Sequence, residues 1–201
     1  MGTLVSEFDF PRCLRAAAAI EADLTQLTAA LTEAQFHAPT RTGGWSVGYC
    51  IEHLVLTGYA FLPKWDMALQ AAAKRECRGE QTFRYGWWQR KVLHYAENPS
   101  KLKLKTTPPF VPYARHSIGE TVGRFLGMHQ ELARRVTSSY GFDVRRTMVQ
   151  SPFVAWIWYA LGFSFDFALA HERRHLCQAW RVRRQILGEF CEVDPCGQYP
   201  L

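Results

Sequence analysis

The sequence predicts an all-α protein, a four-helix bundle with a Pro- and aromatic-rich insertion between its second and third long helices. Apolar residues recur at helical spacing over four long stretches. Ser, Gly and Pro residues punctuate those stretches where helices begin and end. No series of alternating segments is present to make a sheet, and no repeat is detectable.

The first helix is expected over residues 8–36, where Leu14, Ala17, Ala18, Leu24, Leu27 and Leu31 recur at close to 3.6-residue spacing. Pro39 and the Gly43–Gly44 pair mark the following connector. Ser46 is a good N-cap for a second helix over residues 47–73, which carries Cys50, His53, Leu54 and Thr57 along one face. Pro63 lacks a backbone donor, so a kink or break is expected there. In the insertion, residues 80–116, a short helix is expected over 87–96. Lys101 to Lys105 alternates briefly, and Pro108, Pro109 and Pro112 then favour an extended arm covering part of a pocket. Ser117 and Glu120 form a capping box for the third helix, which carries Val122, Phe125, Leu126, His129, Leu132 and Val136 and stops at Gly141. A short helix is expected over 153–161. Ser164 can then cap a final helix that ends at Gly188.

A chain of 201 residues is long enough for one domain, 1–201, with a substantial core. Hydrophobic residues at 48% and charged residues at 21% fit a soluble globular protein rather than a disordered one. The net charge of +6 is spread along the chain. Its densest group, Arg173, Arg174, Arg181, Arg183 and Arg184, lies toward a helix C-terminus, where cations are favoured. A solvated basic helix end is therefore expected, with no nucleic-acid partner; a pocket for an anionic small molecule stays compatible with the charge. The cysteines, at 13, 50, 77, 177, 191 and 196, form no CxxC pair. With no secretory signal in the sequence they read as reduced thiols of a cytoplasmic protein. Residues 152–170 approach spanning length, but Gly162, Ser164 and Asp166 interrupt them, so a buried bundle helix is expected and no membrane partner. Met1 to Ser6 fits the myristoylation pattern formally, although so short a pattern arises easily by chance.

His171 and His175 stand four apart in the final helix, about 40° from each other around its axis and one turn apart. Both imidazoles lean to one side and can share a divalent ion, which needs a third protein ligand for a catalytic site. His37, His94 and His116 lie in connectors, and His129 reads as a core or pocket residue.

Three pieces together resemble the DinB-like superfamily of metal-binding four-helix bundles. They are Trp45-Ser46 followed by His53-Leu54, the arm from Lys105 to Pro112, and the run from His171 to Gln178. The resemblance implies a three-histidine site of His53, His171 and His175, holding zinc or nickel. It also implies thiol-dependent transfer or isomerisation with bacillithiol, mycothiol or glutathione, as in some members, or a related metal-assisted hydrolysis, on a small-molecule substrate, and pairing as a homodimer. Three neutral ligands would leave the ion its charge, to polarise a water or a thiol. Gln178 stands three positions after His175, where it can orient a ligand imidazole, touch substrate or pair inside the bundle. Cys50 stands three positions before His53 and reads as a buried apolar thiol.

Two alternatives stand beside this reading. One is a non-catalytic metal-binding stress-response bundle. The other is a zinc metallopeptidase, since His171-Glu172-Arg173-Arg174-His175 satisfies HExxH with Glu172 as general base. Against the peptidase, the longer signature needs Gly and His where Gln178 and Arg181 stand. An acidic third ligand would have to be Glu189 or Glu192, beyond Gly188.

Overall fold

The computed structural model describes residues 5–97 and 106–188. Four long helices dominate it: α1 (Phe10–Thr28), α3 (Val47–Lys74), α5 (Ile118–Ser138) and α6 (Leu161–Leu187). Between them lie two shorter helices, α2 (Glu33–His37) and α4 (Trp87–Glu97). Two small antiparallel pairs join them, β1 (Glu7–Phe8) with β2 (Phe83–Arg84) and β3 (Met148–Gln150) with β4 (Trp158–Ala160). Helices α1 and α3 each pack on both α5 and α6, so α1 and α3 sit across the bundle from one another. Helix α4 lies against α6, and α2 against α3.

Local signals set most boundaries. Ser46 accepts from the Tyr49 N–H and starts α3, while Ser117 and Glu120 cap each other's backbone at the start of α5. Gly188 takes the left-handed conformation that ends α6, at φ 70°.

Four expectations about the elements are corrected. The helix expected over 8–36 is two helices. Ala30 takes a positive φ of 58°, and Thr32 with Gln35 forms a new capping box that restarts the chain as α2. Pro63 does not break α3, which runs unbroken through it. Pro63 and Tyr59, whose carbonyl loses its partner, both lie on the exposed side of the helix. The helix expected over 153–161 is a hairpin: Val149 pairs with Tyr159 and Gln150 with Trp158, and Ser151 ties the connecting turn. Ser164 is no cap, because α6 begins at Leu161; its hydroxyl instead accepts from the buried Trp65 indole at 2.9 Å. The alternating run 101–105 lies outside the described residues.

The core is continuous between the four long helices, with Ile20, Leu24, Ile51, Leu54, Phe125, Leu132, Phe165 and Leu169 almost wholly buried. Among the described residues no helix is long and apolar enough to cross a membrane. Asp166 is buried in α6 and is held by Arg12 and by the Tyr85 hydroxyl. Burial pushes its carboxyl up, against the opposing pull of Arg12.

The cysteine expectation also needs amending. Cys13, Cys50 and Cys77 are free, but Cys177 is disulfide-bonded. Spacing along a sequence does not report which sulfurs meet in space.

Two members of the basic group on α6 are not solvated charges, although Arg181 is exposed. Arg173 is buried and pairs with Glu97 of α4 at 2.6 Å. Arg183 donates to the carbonyl oxygens of Leu27 and Ala29 at 2.8 Å, closing the C-terminus of α1.

Two glycines report packing and helix entropy separately. A Cβ on Gly162 would lie 2.6 Å from the ring of fully buried Phe8, which cannot swing aside. Gly127 of α5 has open space at that position. Gly162→Ala is expected to destabilise by about 1–3 kcal/mol through overpacking. Gly127→Ala should stabilise by about 1 kcal/mol or less. Urea unfolding of both variants checks the pair.

Candidate metal centre

His53 stands on the second turn of α3, and His171 with His175 near the middle of α6. Packing of these two helices places the three imidazoles together. Their candidate donor atoms all lie within 4.8 Å of one another, and Nε2 of His53 is 3.2 Å from Nε2 of His171. Two nitrogens on a tetrahedral zinc, each about 2.0–2.1 Å from the ion, are separated by about 3.3 Å. The observed spacing fits a shared ion.

Groups outside the trio fix which nitrogen faces the centre. Nδ1 of His53 donates to the Phe110 carbonyl oxygen at 2.7 Å, leaving Nε2 as the bare donor atom. Nδ1 of His175 donates to Oε1 of Gln178 at 3.1 Å, with the same result. Gln178 thus holds the His175 ring by a side-chain hydrogen bond. Phe110 lies in a single 3-10 turn, Pro108–Phe110, within the insertion expected to approach the pocket. The Trp45 ring stacks on His175 and leans on His53, and Phe153 of the β3–β4 turn leans on His171.

All three imidazoles are pushed toward the neutral form. Burial lowers His53 despite its bond to Phe110. Burial, with His53 and Arg174 nearby, drives His171 down to about 3. His175 falls well below its ordinary range, through burial first and the two neighbouring imidazoles next. Unprotonated nitrogens are what a metal requires.

Glu172 lies one position from His171 but serves another cluster. Its carboxylate accepts from Nε2 of His129 at 3.0 Å, and Nδ1 of His129 donates to Glu21 at 2.9 Å. His129 is fully buried against the Phe125 ring. Burial alone would depress it, but the charges and hydrogen bonds of Glu172 and Glu21 outweigh that and push it up to about 9. His129 is thus a core residue, carrying a proton between two carboxylates. A core or pocket place was expected for His129, but its two carboxylate partners were not, because they lie on other helices.

Cys50 is fully buried, and burial pushes its thiol up to about 12. It is an inert core group. Glu52, beside His53, is also buried and ties α3 to α5 through Thr121 at 3.0 Å and Arg124 at 2.6 Å. Sequence reasoning missed this strap, although the residue adjoins a singled-out histidine.

The His129 cluster has a pH signature. A raised imidazole contributes its full stability below its ordinary value of 6.5 and loses that contribution as pH rises through about 9. Glu172→Gln breaks one side of the pair and is expected to cost about 3 kcal/mol. The gap between wild type and variant should be widest below pH 6.5 and narrow steadily toward pH 9 in thermal melts. A gap independent of pH would exclude a charged His129.

In fold, the chain is similar to YfiT from Bacillus subtilis, described as a probable metal-dependent hydrolase with an unusual four-helix bundle topology. The TM-score is 0.56 at 15% identity, covering 90% of this chain and 89% of that one. No curated protein matches the sequence. The DinB superfamily matches residues 16–179, a span that holds all four long helices in whole or large part and all three clustered histidines. The chain belongs to the DinB superfamily.

Proposed function

We propose that this chain is a metal-dependent enzyme acting on a small molecule, with His53, His171 and His175 holding one divalent ion, zinc or nickel. The convergence of three unprotonated imidazoles, at spacing that suits a shared ion, carries this reading. When bound, the ion would act as a Lewis acid that lowers the pKa of a water or a low-molecular-weight thiol at an open position.

The chain's own residues supply positioning and exclusion. Phe110 and Gln178 hold two of the rings in the tautomer that offers Nε2. Trp45 and Phe153 provide apolar walls, which keep bulk water from competing for the imidazoles. The similarity to YfiT, a probable metal-dependent hydrolase, supports water as one nucleophile. A bacillithiol-, mycothiol- or glutathione-type thiol in the same place would give S-transfer instead. A peptidase is disfavoured because Glu172, its required base, is held by His129.

Metal analysis tests the donor set, and substrate panels separate the readings. Protein purified without a histidine tag should carry one divalent ion per chain by elemental analysis, and His53→Ala should abolish it. Full occupancy in that variant would reject His53 as a ligand. Gln178→Ala should weaken metal affinity about 10–100-fold while leaving the helical spectrum intact.

For the reaction, a panel of low-molecular-weight thiols with an electrophile, and a parallel panel of small esters and amides, is assayed with and without chelator. Chelator-sensitive thiol consumption establishes the transferase, and chelator-sensitive hydrolysis the hydrolase. Turnover in neither panel would support a metal-binding bundle without catalysis.

A further inference from the structure

A cavity of about 240 Å³ lies between the C-terminal half of α3 and the β3–β4 hairpin. It stands apart from the histidine centre. Lys64 and Arg75 on its α3 wall lie eleven and twenty-two positions beyond His53, which is about 16 and 33 Å along a helix axis. Its walls combine two chemistries. Ala68, Met67, Met148 and the exposed indole of Trp158 form an apolar surface. Lys64, Arg75 and Arg146 supply three cations, and among the described residues no carboxylate lines the cavity.

These cations are incompletely neutralised. Lys64 donates to the uncharged Gln150 amide at 2.7 Å. Arg146 meets Asp143 only at 3.7 Å, and that carboxylate also accepts from the Arg145 and Arg146 backbone. Arg75 lies exposed at the end of α3, where the helix dipole favours a cation and the side chain stays available. A cationic rim over an apolar floor selects an anion that carries a hydrocarbon body. A volume below the usual ~300 Å³ minimum for drug-sized ligands keeps that body small.

We propose that this cavity is a binding site for a small organic carboxylate, whose acidic group meets Arg75 and Arg146 while its apolar body lies on Met67, Ala68 and Trp158. The site is independent of the metal centre and of the reaction performed there. Cys77, a free and partly exposed thiol, lines the same cavity and reports on its occupancy.

Octanoate is the probe, and octanol its uncharged analogue. Iodoacetamide alkylation of Cys77 in the full-length protein is followed by peptide mass mapping. This readout is local, so octanoate held only at the histidine centre would not register. Saturating octanoate is expected to slow alkylation at least about fivefold, and octanol at equal concentration to leave it unchanged. The Arg75→Ala/Arg146→Ala variant alters two exposed side chains, so its fold is retained, as circular dichroism will verify. Loss of each cation should weaken protection about tenfold, and Arg75→Lys should restore most of its share. Added salt should weaken protection by octanoate. Absence of protection, equal protection by octanol, or unchanged protection in the double variant would each overturn the proposal.

Discussion

A charge taken out of water has to be met by a partner, and one turn of α6 carries several such demands at once. Within residues 171–175 the helix turns successive side chains toward different neighbours. Glu172 reaches His129 on α5, Arg173 reaches Glu97 on α4, and His171 and His175 face His53 on α3. Ten residues on, Arg183 closes the end of α1. Helix α6 is therefore the element against which the others are registered. A small rotation would unpair several buried groups together, and this makes the position of the histidine pair an outcome of the whole bundle.

The same helix turn keeps two imidazole environments apart. His129 is flanked by carboxylates and held protonated, whereas His171 sits among neutral rings and near Arg174, and is held unprotonated. Only the angular offset between adjacent helical positions separates Glu172 from His171. The acidic group in the HExxH pattern thus points its chemistry into the core. A five-residue pattern can match a peptidase while its side chains are arranged for another use.

What was legible in the sequence was mostly local. Ser46, the Ser117–Glu120 box and Gly188 act within a few residues of themselves, and each marks the boundary it signals. The His171–His175 pair could be read because helical periodicity alone puts both rings on one side. Other features have no local mark. Ala30 in a left-handed conformation carries no sequence signal, so the break between α1 and α2 was invisible. The aromatic run before α6 suits a strand or a helix equally, and its pairing with residues 148–150 decided the matter. The partner of His53 is a backbone carbonyl, which no side-chain pattern can announce. Arg173 and Arg183 looked like solvated charges because their targets belong to other helices.

The contact between His53 and Phe110 ties a ligand-facing ring to a stretch of irregular chain. Only six residues separate Phe110 from Ser117, where the capping box anchors the chain to α5. A fully extended residue spans at most about 3.6 Å, so the length of this connector limits how far the carbonyl can stand from α5. Shortening the connector tightens that limit, and a deletion large enough to draw the carbonyl away would break its bond to the imidazole. The ring would then be free to choose either tautomer. Insertions and deletions in this connector therefore act on the donor set itself, and loop length here is as much a part of the histidine centre as the rings are.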